Sequence, residues 1–270
     1  MGIVYHGSKE HGIQRLEPRK STHGVYVYAT PEKVLALNFS GRCGDDLTYD
    51  IGHFDTDKNG PWELVENIPG AFEKMFSNSS SIYSFSDETF KDIHTGFEEV
   101  VSEVGVDTLS EEYCENVYEG LLNAEREGLV KIYRYPNKPV SMKKDGSDIL
   151  DKWRYYKNKL NKDFRKDEFD RLVYLHPGLL NKINELSKEM GYNYYYKPED
   201  LVDIFKSRVA RQLYDSEHEQ YVECSYISIC NSFPELKERI DIVYNSYKDE
   251  INKLRTVNEE NEKSSSGIHM

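Results

Sequence analysis

The feature that most constrains the fold is a strand, a histidine–glycine pair, a second strand and a helix within the first forty residues. The triplet Ile3-Val4-Tyr5 favours a β-strand, and His6-Gly7-Ser8 is expected to end it abruptly. A polar loop follows. Residues 25–28 then alternate valine with tyrosine before Ala29 and Thr30, which predicts a second strand. Because successive side chains of a strand alternate between its faces, Tyr26 and Tyr28 should share one face.

A helix is predicted directly after the second strand. Thr30 can cap its N-terminus, and Pro31 suits the first helical position, where a missing N–H leaves no bond unmade. The apolar residues of this helix are Val34, Leu35, Leu37 and Phe39. The whole unit therefore predicts two strands and a helix that surround one cleft.

The residue types around that cleft favour a particular ligand. His6 would place an imidazole beside Gly7, whose backbone N–H and C=O are not shielded by a Cβ atom. If the two strands are neighbours, Tyr26, Tyr28 or both face the cleft, and Phe39 covers it from the helix. A histidine, an open backbone and aromatic faces suit a flat ring that bears an amide.

A second informative stretch covers residues 97–106. Its sequence, Phe-Glu-Glu-Val-Val-Ser-Glu-Val-Gly-Val, indicates a strand that begins with a carboxylate. Adjacent residues face opposite sides of a strand, so only one of Glu98 and Glu99 can point into a cleft. The alternative is a charged strand end in contact with solvent.

This ordered set of elements resembles the ADP-ribosyltransferase superfamily, and most closely its branch with a His-Tyr-Glu triad. That branch includes poly-ADP-ribose polymerases, diphtheria-type toxins and RNA 2'-phosphotransferases. The similar segments are Tyr5-His6-Gly7-Ser8, a glycine-led strand that ends in Tyr28-Ala29-Thr30, and the helical Ala36-Leu37-Asn38-Phe39. The resemblance covers the N-terminal part of the chain and implies a split β-sheet domain that takes NAD as its substrate.

The resemblance also implies a role for individual residues. The implied NAD-binding residues are His6, Gly7, Ser8, Tyr26, Tyr28 and Phe39. The His-Gly pair would hold the adenosine ribose and the nicotinamide amide, and a tyrosine with Phe39 would sandwich the nicotinamide ring. The implied catalytic residues are His6, Tyr28 and Glu99, with Glu98 as the alternative carboxylate. The second-strand aromatics lie one residue further from their glycine than in the polymerases, so Tyr26 and Tyr28 both stay candidates.

The implied activity is cleavage of the nicotinamide–ribose bond of NAD. A transferase would pass ADP-ribose to an unidentified protein or nucleic-acid acceptor, and a glycohydrolase would pass it to water. An RNA 2'-phosphotransferase-like activity needs a basic face, such as one at Arg165-Lys166, and the net charge of −13 argues against it. A catalytically inactive member of the fold would instead be a protein-interaction module, with its helical half binding a partner.

Other classes of protein are disfavoured. We find no apolar run long enough for a membrane span and no signal peptide pattern. The four cysteines lack C-x-x-C spacing, which predicts free thiols in a reducing cytoplasm. The histidines lack metal-ligand spacing, and the acidic loop 50–60 lacks the bidentate glutamate of a calcium loop, so we predict no metal.

We predict an α+β protein with two domains. The N-terminal domain, residues 1–136, is the ADP-ribosyltransferase-like NAD-binding domain, and residues 145–257 form an α-helical domain before a disordered tail, residues 258–270. In the first domain, residues 110–128 are expected to form one helix capped by Ser110. In the second domain, the helices expected from apolar spacing and Asp or Pro starts are 149–160, 163–175, 177–190, 198–214 and 233–255.

Four tyrosines cluster in the helical half, at positions 192, 194, 195 and 196. We interpret them as packing residues, with a stacking platform for a nucleic-acid base as the alternative.

Overall fold

The protein combines α-helices with several β-sheets, so the mixed α and β character predicted from the sequence is confirmed. The computed structural model describes residues 2–21, 23–41, 46–95, 97–214 and 221–266. The chain divides into two compact units: unit 1 is Met1–Glu66 with Gly70–Ser141, and unit 2 is Asn67–Pro69 with Met142–Met270. None of the described helices is long and apolar enough to cross a membrane.

Within the described residues, every strand belongs to unit 1. The strands are β1 (Ile3–Ser8), β2 (Arg15–Leu16), β3 (Arg19–Ser21), β4 (Gly24–Ala29), β5 (Tyr49–Gly52), β6 (Trp62–Glu66), β7 (Ser80–Ser86), β8 (Phe90–Lys91), β9 (Val100–Ser102), β10 (Val106–Asp107), β11 (Ser110–Cys114) and β12 (Val130–Tyr133). The helices of this unit are α1 (Lys33–Phe39), α2 (Ala71–Met75) and α3 (Val117–Arg126).

The strands form four small sheets. Their strand orders are β1-β7-β11, β3-β4-β9-β8, β12-β6-β5 and β10-β2. The β12–β6 pair is parallel, and the β1–β7 and β4–β9 pairs are antiparallel. The first two sheets supply the elements that surround the candidate site.

The core beside that site is built from alternating strand residues. Val27 and Ala29 of β4 are buried against Val4 of β1 and Phe85 of β7. The tyrosines of β4 are on its other face, as the alternation of apolar and aromatic residues predicted. Burial of such apolar side chains contributes about 1.5–3 kcal/mol each relative to exposure, which holds β1 and β4 side by side.

Two predicted boundaries near the site were wrong. The first strand does not end at His6 but runs to Ser8, because β7 pairs with every residue of it, up to Ser8 opposite Ser81. Helix α1 does not begin at Pro31 but at Lys33, because Thr30 is held in extended backbone by its pairing with Tyr5. The Thr30 hydroxyl accepts a bond from the N–H of Glu32 at 3.1 Å, so it stabilises the turn before the helix.

The prediction of a single helix over residues 110–128 was also wrong. Residues Ser110–Cys114 form the strand β11 on β7, and the helix α3 begins only at Val117. Asn116 caps α3, since its side chain accepts a bond from the N–H of Glu119 at 3.1 Å. The two glutamates of the Ser-Glu-Glu-Tyr-Cys segment are also compatible with a helix. The segment is a strand because it pairs with β7.

In its described residues, unit 2 is helical. Its helices are α4 (Asp148–Leu160), α5 (Lys166–Leu175), α6 (Leu180–Glu189), α7 (Asp200–Tyr214), α8 (Val222–Ser232) and α9 (Lys237–Ser266). Helix α5 starts at Lys166 rather than 163, where the Glu168 side chain accepts a bond from the Arg165 N–H in a capping box. Helix α9 continues to Ser266, although a disordered tail was expected from residue 258, and residues 267–270 lie outside the described part. Glutamate and lysine in the 258–263 segment are strong helix formers, which allows this extension.

The tyrosine cluster lies in unit 2 and is mostly packed. Tyr192 and Tyr194 stack on each other with ring centroids 5.4 Å apart, and Phe169 contacts both rings. Tyr196 is buried and its hydroxyl donates to Asp170 at 2.8 Å. Only Tyr195 has a largely exposed ring among the four, which favours packing over a base-stacking platform.

Candidate functional site

The site lies where β1 and β4 separate. The two strands are joined by one isolated bridge, in which the Tyr5 N–H donates to the Thr30 C=O at 2.7 Å and the Thr30 N–H donates to the Tyr5 C=O at 2.9 Å. Beyond this bridge, the His6 side chain reaches across to β4, with its Nδ1 2.8 Å from the carbonyl oxygen of Tyr28. An imidazole therefore stands where a continuous sheet would have backbone hydrogen bonds.

This contact determines the proton arrangement of His6. A carbonyl oxygen only accepts, so Nδ1 must carry the proton and donate it, which leaves Nε2 with a free lone pair in the neutral ring. Burial lowers the pKa of His6; the bond to Tyr28 opposes that effect, and the positive charge of Arg19 adds to it. His6 is therefore neutral near pH 7 and presents a hydrogen-bond acceptor.

Gly7 is required by packing and also leaves polar groups available. A Cβ atom on this residue would lie 1.9 Å from the carbonyl oxygen of Ala36, so α1 packs directly on the backbone of β1. Residues of an antiparallel strand alternate in the direction of their N–H and C=O groups. Since those of Tyr5 point to Thr30, those of Gly7 point to the same side, away from β7.

Glu99 lies at the start of β9. The next residue, Val100, pairs with Ala29, so Glu99 is beside the end of β4. Its N–H donates to the Phe97 C=O at 2.8 Å, forming a tight turn before the strand. Glu99 is half-buried and Glu98 is exposed. Across the described residues we find no hydrogen bond or ion pair to the Glu99 carboxylate.

Phe39 ends α1 at the rim of the site. Its side chain is 44% exposed, so part of the ring is open to solvent. The ring makes an edge contact with Phe97, with centroids 5.5 Å apart, and Phe97 in turn contacts Trp62 at 5.5 Å. The three rings therefore form a chain of aromatic contacts that begins at the rim of the site.

These residues enclose one pocket of about 180 Å³. Its lining residues are Tyr5, His6, Gly7, Tyr28, Ala29, Thr30, Ala36, Phe39 and Glu99. The structure thus brings together five of the residues singled out from the sequence, which are His6, Gly7, Tyr28, Phe39 and Glu99. The sequence left two choices open. Of the two tyrosines, Tyr28 lines the pocket and Tyr26 does not, and of the two glutamates, Glu99 lines it and Glu98 does not.

Two predicted residues lie outside the lining. The Ser8 hydroxyl accepts a bond from the Glu10 N–H at 3.1 Å, so it stabilises the turn that follows β1. Tyr26 packs edge-on against Tyr28, with ring centroids 6.0 Å apart, and supports that ring from outside. Neither residue is placed to contact a ligand in this pocket.

Four lining residues were not predicted: Tyr5, Ala29, Thr30 and Ala36. Ala36 had a detectable signal, because it lies three residues before Phe39 and so shares its helix face. Thr30 had none, because its place in the lining depends on the pairing with Tyr5 across 25 residues of sequence.

The Tyr28 hydroxyl is an unusual polar group. It is buried and has no hydrogen-bond partner among the described residues. A buried hydroxyl without a partner costs roughly 1–3 kcal/mol, so such groups call for a specific explanation. A ligand atom is one group that would satisfy it.

The acidic loop near the site has a structural role. The Asp55 carboxylate accepts bonds from the N–H groups of Val140 and Ser141, the latter at 2.9 Å. These bonds lower the pKa of Asp55, with the contact to Ser141 as the largest cause. No group of three or more metal-type ligands is present among the described residues.

Comparisons with protein-family models, with curated proteins and with solved structures found no match for this chain. The pocket itself is therefore the basis for the proposed function.

Proposed function

We propose that unit 1 has an ADP-ribosyltransferase-type fold and that its pocket binds NAD and cleaves the nicotinamide–ribose bond. The proposal rests on the fact that residues from separate parts of the sequence meet at one pocket. Five of the residues chosen from the sequence for this chemistry lie on β1, β4, α1 and the start of β9, and these five line one pocket. The ADP-ribose passes to a protein or nucleic-acid acceptor, or to water.

The size of the pocket supports binding of one ring rather than a whole dinucleotide. Its volume of about 180 Å³ is below the roughly 300–1,000 Å³ of sites that enclose drug-sized ligands. Nicotinamide would occupy it, between Tyr28 and Phe39. Its amide would bond the backbone N–H and C=O of Gly7, and the unpartnered Tyr28 hydroxyl is a further group available to the ligand.

The rest of NAD would extend from the pocket mouth. The neutral His6 ring offers Nε2 as an acceptor for a ribose hydroxyl. Arg19 on β3 pairs with Tyr26 of β4, and its guanidinium would be the group that meets the phosphates.

The reaction would be a displacement at the C1' carbon of the ribose. The C1'–nitrogen bond breaks, and its electron pair leaves with nicotinamide, which departs as a neutral molecule. The ribose develops oxocarbenium character, and the Glu99 carboxylate stabilises that charge and bonds the 2'-hydroxyl. The acceptor or water then supplies an electron pair to C1' and loses a proton.

Release of nicotinamide from NAD by the purified protein tests this activity. We expect Glu99→Gln to reduce the rate by at least about 100-fold, the size typical for loss of one electrostatic group in a transition state. Glu98→Gln is the matched control and should keep the rate, because its side chain is exposed. His6→Ala should weaken NAD binding.

The proposal is wrong if nicotinamide release is absent and NAD does not raise the melting temperature. That result would favour the inactive, partner-binding alternative. Equal losses in the Glu98 and Glu99 variants would instead show that the pocket is not the site of reaction.

The cytoplasm is the proposed location. Among the described residues, Cys114 and Cys230 are free thiols, which supports a reducing compartment. Cys43 lies outside the described residues.

A further inference from the structure

Strand β11 is an edge of its sheet. It pairs with β7 on one side, and no strand of the described residues pairs with it on the other. The N–H and C=O of Ser84 point to β11, as the bond from the Leu109 N–H to the Ser84 C=O at 2.9 Å shows. By alternation, Ser110 and Glu112 direct their backbone groups to β7, and Glu111 and Tyr113 direct theirs outward.

A pocket lies beside this edge, on the face of the sheet covered by α1 and α3. Its volume is about 370 Å³, twice that of the first pocket. The floor is apolar and consists of Val34, Leu37, Ile82 and Ala124, with Gly120 at the closest approach of the helices. Glu112, Tyr113 and Cys114 of β11 form the wall next to the edge.

The edge is acidic. Glu111 and Glu112 lie on the strand, and Glu127 lines the pocket. Among the described lining residues Lys33 is the one cation, and its Nζ pairs with the Glu112 carboxylate at 2.6 Å. The pKa of Glu111 is lowered by the Ser81 hydroxyl and the Gly12 N–H, so this carboxylate stays ionised at neutral pH. Because the edge is negatively charged, the β11 edges of two copies of this protein repel each other, which disfavours pairing between them.

We propose that β11 and its pocket bind an extended basic segment of a partner protein. The segment adds to the sheet as a fourth strand and forms hydrogen bonds with the outward groups of Glu111 and Tyr113. Alternate side chains then point to opposite faces, so one apolar side chain enters the pocket. The basic side chains two residues before and two residues after that apolar one share its face and meet Glu112 and Glu127. The exposed Tyr113 ring covers the other face.

A heptapeptide, acetyl-Thr-Lys-Thr-Val-Thr-Lys-Thr-amide, has its valine and both lysines on one face as a strand and tests the proposal by titration with the full chain. We expect saturable binding that weakens with salt, and slowed hydrogen exchange at the Glu111 and Tyr113 amides. The same peptide with glutamate in place of lysine should bind at least about tenfold more weakly. Absent or equal binding of the two peptides would overturn the proposal.

Two variants separate backbone pairing from side-chain contact. Tyr113→Pro removes an outward N–H and leaves every bond to β7 in place, so it should abolish binding. Tyr113→Ala keeps that N–H and should retain most of it. Unchanged affinity in the proline variant would contradict strand addition.

Methylated peptides give the same test without changing the protein. Methyl groups on every second backbone nitrogen prevent hydrogen bonding along one edge of the peptide. Moving all methyl groups by one residue prevents it along the opposite edge instead. We expect one methylated peptide to bind like the parent and the other to lose at least about tenfold in affinity. Equal affinity of the two would overturn the proposal.

Charge variants test the recognition of basic residues. Glu112→Gln with Glu127→Gln should lower the affinity for the lysine peptide and raise that for the glutamate peptide. Glu98→Gln is the control, because this exposed carboxylate is not among the residues that line the β11 pocket. An unchanged preference in the double variant would show that these carboxylates do not select the ligand.

Discussion

His6 meets two requirements with one side chain. Its Nδ1 holds β4 through the Tyr28 carbonyl, and its Nε2 stays available to a ligand. The acceptor role of Nε2 depends on a neutral ring, which burial maintains by lowering the pKa. The Tyr28 hydroxyl on β4 is also without a hydrogen-bond partner among the described residues, so bonds within the protein leave two polar groups of this region unused.

The lowered pKa of His6 predicts a pH dependence of stability. The unfolded chain takes up a proton near the ordinary value of 6.5, and the folded chain resists it to a lower pH. The free energy of unfolding is therefore fully retained above that value and decreases as the pH falls through the window below it. Urea unfolding at pH 7.5 and pH 5.5 should show a smaller decrease in His6→Asn than in the wild type.

His23→Asn is the control for this measurement, because His23 is exposed. It should keep the wild-type decrease between the two pH values. An identical decrease in the His6 variant would mean that the folded protein protonates this ring as readily as the unfolded chain does.

At the scale of elements, the site depends on how closely α1 lies on β1. The missing Cβ of Gly7 allows the helix backbone to reach the strand, and this brings Ala36 and Phe39 to the pocket. The pairing of β4 with β9 then places Glu99 beside the end of β4. Each contact joins segments far apart in sequence, so the pocket forms only when all of these elements are assembled.

Gly7→Ala tests this dependence. The new methyl group would overlap the Ala36 carbonyl, so α1 must shift, at a cost of about 1–3 kcal/mol in the free energy of unfolding. The same shift should weaken NAD binding. Ser8→Ala changes the next residue of the strand without such an overlap and should remain within about 0.5 kcal/mol of the wild type. Equal stability of the two variants would show that α1 does not pack on Gly7.

At the scale of the whole molecule, each compact unit contains one of the two tryptophans. Trp62 of unit 1 contacts Phe97, which contacts Phe39 at the pocket. Trp153 of unit 2 stacks on Phe164 with centroids 4.2 Å apart. Both indole rings are buried, so the fluorescence of each reports the folding of its own unit.

Single-tryptophan variants therefore locate the binding site. In Trp153→Phe, NAD should shift the urea midpoint reported by Trp62 to higher concentration, since a ligand stabilises the state that it binds. In Trp62→Phe, the midpoint reported by Trp153 should not change. A shift seen only through Trp153 would place the NAD site in unit 2 and contradict the proposed pocket.

The sequence by itself determined the local pieces. Alternation predicted β4 and the face of its tyrosines, and the residue types predicted the lining residues His6, Gly7, Tyr28 and Phe39. The resemblance to the ADP-ribosyltransferase superfamily predicted Glu99. These signals are local because side-chain periodicity follows from backbone geometry. The length of β1, the start of α1 and the strand at Ser110–Cys114 were decided by tertiary structure, since each depends on a partner segment. The choice of Tyr28 over Tyr26 and of Glu99 over Glu98 was also tertiary, because neighbouring candidates have the same chemistry and only packing selects which one faces the pocket.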